Sequence, residues 1–349
     1  MSQNITHISR VFLSCAALML FMLTSSMLAQ DLSYSQFYNQ PVMVNPGLTG
    51  IFNGDHRIIT SFRDQARNIP VPYLTFTGFY DRKIYNKNSN KDFFGIGGVF
   101  NYDRQGDSNL RLINLNVSGS YSRILNKSNI ISLGVLIGYA NRAFDPVALT
   151  WDSQFDTQTG SFNQSLPSGE TFNFESFNYL ETGIGLNYRW QKTERTHVDF
   201  GFGAFHITNP QDNFLNGVTE SLPMRLSLYG ILEMQIADNA DIQFDVMHKW
   251  QTVFRQFLFG SYVNFYLNNQ RGKNYQFRVG GGYKTTAEVY FIKAGFQMNQ
   301  LFVAASYDID NSQFGINDIG SPGKGPEIHL RYIIKNVKPE GRFKICPIF

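Results

Sequence analysis

The sequence predicts an all-β fold: a transmembrane outer-membrane antiparallel β-barrel of about 14 strands, with a periplasmic N-terminal segment and a C-terminal tail. The first supporting observation is composition, because 16% of the 349 residues are charged, 15% are aromatic and the mean hydropathy is −0.22. The second is a repeated alternation of apolar and polar residues, and the third is an apolar leader. Strands with one lipid-facing and one polar face average to such a composition.

The composition also excludes several classes of protein. Beyond residue 29, no run approaches the roughly 20 apolar residues of a membrane-spanning helix. The apolar and aromatic content excludes a disordered chain, and two cysteines are too few for a disulfide-stapled secreted domain. The net charge of +3 gives no indication that nucleic acid is a partner.

Residues 1–29 are predicted to be an export signal peptide. Arg10 precedes an apolar core that ends at Leu23, and small residues follow up to Ala29, after which we expect cleavage. A membrane anchor is an alternative, but the apolar run is too short for one. Cys15 suggests a lipoprotein as a second alternative, although this residue lies inside the apolar core rather than behind it.

The mature chain then opens with residues 30–55, which are rich in Tyr, Phe, Asn and Gln and precede the first strand. Asn45, Pro46 and Gly50 are turn-forming residues. We expect this segment to be a periplasmic cap or plug that packs under the barrel through its own aromatic residues. The alternative is a docking segment for a partner, and the sequence does not decide between the two.

Residues 56–336 are predicted to form the barrel as one domain. Near the middle of the fourth strand, Leu115 and Val117 occupy one face, whereas Asn116 and Ser118 occupy the other. Most strands span roughly 10–15 residues, which suits a tilted membrane-crossing strand better than the 5–6 residues usual in a soluble β-sandwich, the alternative fold. The predicted strands lie at about 56–65, 72–82, 93–103, 110–123, 129–141, 178–190, 196–208, 222–236, 240–250, 254–268, 274–285, 288–299, 301–311 and 325–335.

The lengths of the connections predict an orientation. Connections after even-numbered strands are mostly short and polar, whereas the longest, at 142–177, 209–221 and 312–324, follow odd-numbered strands. Short turns are periplasmic in outer-membrane barrels, so the long connections are expected to be external. Basic residues in the predicted turns, including Lys83 and Lys127, would form a basic periplasmic rim. The inward faces are polar, and the sequence does not indicate whether the lumen is open or plugged.

Residues 337–349 are predicted to be a C-terminal tail, because Pro339, Gly341 and Pro347 do not suit a strand. Cys346 is the only cysteine outside the leader, so it cannot form a disulfide within the mature chain. Pairing with another chain and burial as a free thiol both remain open for it.

Both ends of the mature chain carry distinctive motifs. The N-terminal ones are Tyr34-Ser35-Gln36-Phe37-Tyr38, Asn45-Pro46-Gly47-Leu48-Thr49-Gly50 and Arg57 followed by Phe62-Arg63-Asp64-Gln65. The C-terminal one is Cys346-Pro347-Ile348-Phe349. In these motifs the chain resembles the PorP/SprF family of outer-membrane proteins of the type IX secretion system. It departs from the family pattern at Gly47, where Ala is common, and at Ala66, where Trp is common.

The resemblance implies a barrel of Bacteroidota-type bacteria that supports the secretion and surface retention of other proteins, with a link to gliding motility. The implied partners are outer-membrane lipid, an adhesin-type cargo with a C-terminal sorting domain, and periplasmic or lipoprotein components of the secretion machinery. The residues that carry the resemblance are the candidates for partner docking. They are Tyr34, Gln36, Phe37, Tyr38, Asn45, Pro46, Gly50, Arg57, Arg63, Cys346 and Phe349.

No enzyme motif, paired metal-ligand spacing or phosphate loop is evident in the sequence, so we expect no catalytic residue, no metal and no cofactor. Two other functions remain as alternatives. One is a passive porin for small solutes, and the other is a barrel hydrolase whose Ser, His and Asp residues are brought together only by the fold.

Overall fold

The computed structural model shows a closed antiparallel barrel of 14 strands, which confirms the predicted fold class. The structure describes residues 32–65, 73–86, 89, 91–106, 108–169, 175–212, 220–268, 273–285, 288–310 and 324–335. The barrel strands are β1 His56–Gln65, β2 Tyr73–Tyr85, β3 Asp92–Gln105, β4 Leu110–Asn126, β5 Asn129–Ala143, β6 Ser176–Thr193, β7 Thr196–Phe205, β8 Arg225–Ala237, β9 Ala240–Gln251, β10 Phe254–Asn268, β11 Tyr275–Lys284, β12 Val289–Met298, β13 Leu301–Asp310 and β14 Gly325–Ile334.

Each strand pairs with its neighbours in sequence, and β1 closes the barrel by pairing with β14 from His56↔Ile334 to Arg63↔Glu327. Closure matters in a membrane because hydrocarbon cannot satisfy the N–H and C=O groups of a free sheet edge. Two short hairpins lie in the connections β5–β6 and β7–β8. They pair Phe155–Asp156 with Ser161–Phe162 and Gln211–Asp212 with Glu220–Ser221.

The two faces of the strands separate as the alternation predicts. On β4, the outward Leu115 and Val117 are 60% and 53% exposed, whereas the inward Asn116 and Ser118 are 1% and 2% exposed. Large apolar side chains therefore form the outer surface, and polar side chains line the lumen. In a soluble protein the polar side chains would be outside and the apolar ones inside. The reversed arrangement explains why few charged residues and a neutral mean hydropathy occur together.

The two ends of the barrel differ in their connections. One end, called the turn end, contains the first residue of β1, the last residue of β14 and short turns such as 127–128 and 194–195. The opposite end, which carries the connections 144–175 and 206–224, is called the loop end. Among the described residues, no helix is long and apolar enough to cross a membrane.

The predicted boundaries differ from the structure by up to three residues at a strand end; β2, for example, continues to Tyr85 instead of ending near residue 82. The expectation that Lys83 belongs to a basic rim of turn residues is therefore wrong. Its side chain points inward, donates to the carbonyl of Phe52 and has its Nζ 5.7 Å from the centroid of the Phe93 ring. The predicted signal peptide and C-terminal tail lie outside the described residues.

Candidate functional site in the filled lumen

The N-terminal segment Leu32–Asp55, hereafter the plug, lies inside the barrel. It contains a 3-10 turn at Phe37–Asn39, the one-turn helix α1 at Pro41–Val44 and a second 3-10 turn at Pro46–Leu48. Proline begins the last two elements, where a backbone N–H would have no partner in the helix. The side chain of Asn45 caps the second turn by accepting the N–H of Gly47 at 2.8 Å.

The plug passes through the lumen from the loop end to the turn end. At its start, Lys249 near the loop end of β9 donates to the carbonyl of Leu32 at 3.3 Å. At its finish, the N–H of Asp55 donates to the carbonyl of Ile334, the last residue of β14, at 2.9 Å. The segment that we expected to find beneath the barrel is thus threaded through it.

A cluster of buried charges, here called the loop-end anchor, holds the upper part of the plug. The N–H of Ser35 lies 2.9 Å from both carboxylate oxygens of Glu327, and its hydroxyl donates to Asp308 at 2.5 Å. Lys284 lies 2.6 Å from Asp308, and Arg63 lies 3.0 Å from Asp308 and 3.1 Å from Glu327. The two cations and two carboxylates balance, which burial requires because an unpaired buried charge is strongly destabilising.

Inward-facing glycines bring the middle of the plug close to the wall. A Cβ atom on Gly203 would lie 2.5 Å from the carbonyl oxygen of Val44, and one on Gly134 would overlap the carbonyl of Pro46. Glycine inside a strand marks this kind of close backbone approach. A side chain at either position would push the plug away from the barrel.

Asn45 fastens the same region by hydrogen bonds. Its amide nitrogen donates to the carbonyl of Leu186 at 2.9 Å and lies 3.3 Å from the hydroxyl of Tyr229. That hydroxyl in turn donates to Asn187 at 2.5 Å. Asn45 therefore serves both the turn inside the plug and its attachment to two strands.

A second ion pair holds the plug near the turn end. Arg57 donates to Asp81 from Nε at 2.9 Å and from a terminal nitrogen at 2.7 Å. Asp81 also accepts the N–H of Gly50 at 2.7 Å, and Arg57 donates to the carbonyl of Leu48 at 3.3 Å. Gly50 has φ +75°, a left-handed conformation that glycine adopts without strain. The motif residues Gly50 and Arg57 thus meet at one carboxylate.

Most of the polar contacts between barrel and plug involve the plug's main chain. Carboxylates of the barrel accept the N–H groups of Ser35 and Gly50, and barrel side chains donate to seven plug carbonyls. Those carbonyls belong to Leu32, Ser33, Met43, Val44, Leu48, Thr49 and Phe52. Buried main-chain groups are thereby satisfied although the plug forms no strand.

Apolar side chains complete the filling of the lumen. Four of them come from the plug and pack against residues from strands on different sides of the barrel. The cluster consists of Phe37, Val44, Leu48, Ile51, Phe93, Ile130, Tyr229, Met247, Leu258 and Phe291. Because these residues meet across the lumen, the barrel has a packed interior at this level.

The structure brings nine of the eleven predicted docking residues together in or against the plug. Tyr34, for example, places its hydroxyl 3.0 Å from that of Thr77, and Phe37 is 2% exposed. In this conformation their contacts are with the barrel, so docking of a partner to them stays a prediction. Cys346 and Phe349 lie outside the described residues.

Sequence reasoning missed the residues that hold the plug. The alternation assigns Lys284 and Glu327 to the inward face but names no partner for them, and nothing in the sequence pairs Asp81 or Asp308 with the plug. The available signal was the presence of charged and glycine residues on inward faces. Among the described residues, no group of three or more His, Cys, Asp or Glu side chains is placed to hold a metal ion.

Comparison with known families identifies the chain. The family model described as type IX secretion system membrane protein PorP/SprF matches residues 26–332. The chain belongs to the PorP/SprF family. The resemblance to the family is confirmed over the matched residues, which include the N-terminal motifs but not Cys346-Pro347-Ile348-Phe349. This PorP/SprF protein is an outer-membrane barrel of the type IX secretion system.

Solved structures similar to this PorP/SprF protein are outer-membrane barrels. A FadL homologue of Pseudomonas aeruginosa matches with a TM-score of 0.50 and 12% identity, covering 88% of this chain and 99% of that one. The toluene transporter TbuX of Ralstonia pickettii matches with a TM-score of 0.47 and 12% identity, covering 83% and 92%. The likeness to the FadL homologue shows the barrel fold alone. No curated protein matches the chain.

Proposed function

We propose that this PorP/SprF protein is a sealed, non-enzymatic outer-membrane barrel that supports the secretion of a cognate cargo protein and its retention on the cell surface. The cargo is an adhesin-type protein recognised through its C-terminal sorting domain, and the system serves gliding motility. The family match supports the secretion role, and the filled lumen supports the sealed form of the barrel.

The observation that carries the proposal is the plug. It occupies the lumen from Leu32 to Asp55 and is fixed by buried ion pairs at two levels, at Asp308 and at Asp81. A passive porin needs a continuous aqueous path, whereas here apolar side chains meet across the interior. The plug therefore favours a secretion and anchoring component over the porin that was our alternative.

The orientation follows the usual asymmetry of outer-membrane barrels, in which short turns face the periplasm. The loop end then faces outward, where cargo is retained, and the start of the plug at Leu32 lies at this external mouth. The turn end faces the periplasm, where the lipoprotein and other periplasmic components are the expected partners. Export of the chain to this location requires the signal peptide predicted at residues 1–29.

Gene deletion tests this function. In the deletion strain, we expect the cargo adhesin to be absent from the cell surface, while the uptake of small polar dyes and antibiotics stays at the wild-type level. The control is the deletion strain with the intact gene restored at the same chromosomal site. Normal display of the adhesin in the deletion strain would contradict a secretion role, and a loss of solute uptake alone would support the porin instead.

A further inference from the structure

Three basic side chains gather inside the turn-end half of the barrel. Arg278 on β11 has its Cζ 4.9 Å from the centroid of the Phe302 ring, and Arg331 on β14 has its Cζ 4.6 Å from the same centroid. Arg278 also lies 5.1 Å from the Tyr262 ring, and the Nζ of Lys293 lies 5.2 Å from that ring. Three positive charges thus share one patch of wall.

Several other inward cations have carboxylate partners at close range. The pairs Arg57–Asp81 and Arg189–Asp199 are 2.7 and 2.6 Å apart. In the patch, Lys293 lies 3.0 Å from Asp245. The two arginines differ from all of these, because none of the carboxylates in the described part of the chain lies within ion-pair distance of Arg278 or Arg331.

Hydrogen bonding leaves the same two arginines incomplete. Arg278 donates to the hydroxyl of Tyr262 at 2.7 Å and to Gln276 at 3.4 Å, but its buried Nε has no partner among the described residues. Arg331 makes no hydrogen bond to any described residue, and its Nε is also buried. Buried cations left in this state are costly unless an anion compensates them.

The plug contributes a further unused donor to the same place. Gln36 is 1% exposed, and its Oε1 accepts the hydroxyl of Tyr38 at 3.0 Å, while its Nε2 has no partner among the described residues. Gln36, Arg278 and Lys293 line one small crevice, which Phe302 borders as well. Donors from the plug and from the barrel therefore converge on one small space.

We propose that this crevice binds a small oxyanion, a carboxylate or phosphate group, held by Arg278 and Lys293 and by the amide of Gln36. Arg331 does not line the crevice, but it adds its positive charge from beside the Phe302 ring. Asp245 is the one described acid within ion-pair distance of the patch, and Glu233 attracts Arg278 from farther away. Positive charge remains in excess, and one phosphate or one carboxylate would reduce it. Guanidinium groups suit this ligand because their planar forks match two oxygens of a carboxylate or phosphate.

The anion would join the plug to the wall and act as a third fastening for the plug, after the ion pairs at Asp308 and Asp81. Both arginines are half-buried, so the patch remains reachable from the lumen. Two sources of the same chemistry fit: an anion from solution, or a carboxylate of residues 336–349, which follow β14 closely in sequence and lie outside the described residues.

The test uses the purified full chain in detergent, in a buffer free of phosphate and carboxylates. Unfolding midpoints and calorimetric titrations are recorded with inorganic phosphate and with acetate, and with chloride at matched ionic strength as the reference. We expect a saturable rise in the midpoint with phosphate or acetate but not with chloride. Arg278→Gln should weaken binding by about tenfold or more, the usual effect of losing a charged hydrogen-bond donor. Arg331→Gln removes a nearby positive charge and should weaken binding by a smaller factor.

Matched variants separate the site from general charge effects. Arg123→Gln removes an exposed arginine near the turn end and should leave the anion response unchanged. In a chain ending at residue 335, Arg331→Gln should also raise the midpoint measured without anion, because it removes an uncompensated charge, and this readout does not depend on binding. Phosphate binding is also compared between the full chain and a chain ending at residue 335. If only the shortened chain binds phosphate, the tail carboxylate is the resident anion, and the site is supported.

The proposal is overturned if neither chain shows a saturable response. It is also overturned if Arg278→Gln and Arg331→Gln respond as Arg123→Gln does, which would mean an adventitious ion only. In the chain ending at residue 335, a midpoint that Arg331→Gln lowers in the absence of anion would contradict the claim that this cation is uncompensated.

Discussion

Replacing Gly203 by valine is expected to push the plug off the barrel wall. A Cβ atom there would lie 2.5 Å from the carbonyl oxygen of Val44, so ordinary contact at 3.4 Å requires a shift of about 0.9 Å. The hydroxyl of Ser227, which donates to that carbonyl at 2.5 Å, would lose its partner in such a shift. Overpacking of this kind costs about 1–3 kcal/mol, which moves the ratio of released to bound plug by roughly 5- to 150-fold.

Two assays on the purified protein read out this release. In a planar bilayer, Gly203→Val should show discrete conductance openings where the wild type is silent, and protease should cut within residues 32–55 faster. Gly119→Val is the matched control, because Gly119 faces outward and a Cβ on it would meet nothing within 4 Å. If Gly203→Val folds but is as silent and as protease-resistant as this control, the close approach of plug and wall does not hold the lumen closed.

Three further predictions follow from the same contacts. Deletion of residues 32–52 should give a barrel with steady ion conductance, and a silent barrel would mean that something else fills the lumen. Arg57→Ala should lower the free energy of unfolding by about 3–5 kcal/mol, because it leaves the fully buried Asp81 unpaired. Arg123→Ala on the exposed surface should lower it by at most about 1 kcal/mol, and equal thermal midpoints of the two variants would refute the prediction. An epitope inserted before Leu32 should be detected by antibody on intact cells, and detection only after the outer membrane is permeabilised would reverse the proposed orientation.

The barrel was predictable because lipid imposes a strict alternation on every strand. Leu115 and Asn116 are neighbours in sequence, yet one is 60% and the other 1% exposed, and a pattern of period two reports this difference directly. The residues at which strands end are harder to predict, because a polar residue in the sequence can belong either to the lumen face of a strand or to a solvated turn. Lys83 was mistaken for a turn residue because an inward lysine and a solvated lysine look alike in the sequence.

The position of the plug could not be predicted for a related reason. Ser35, Gln36 and Gln40 are polar residues of the kind that normally cover surfaces, yet they are 0%, 1% and 3% exposed. They are buried here because the wall around them is itself polar and supplies partners, such as Glu327 for the N–H of Ser35. Those partners lie far from the plug in sequence, so pairing them requires the closed barrel.

A cross-link between plug and wall tests whether the protein supports secretion with its lumen closed. The Oγ1 of Thr49 lies 3.0 Å from the Oγ of Ser118, so Thr49→Cys with Ser118→Cys places two thiols side by side in a chain whose Cys346 is replaced by serine. The measurement is the amount of cargo on the surface of cells that carry the oxidised, locked barrel. We predict wild-type display with the plug locked; loss of display that returns when a reductant opens the cross-link would contradict this prediction.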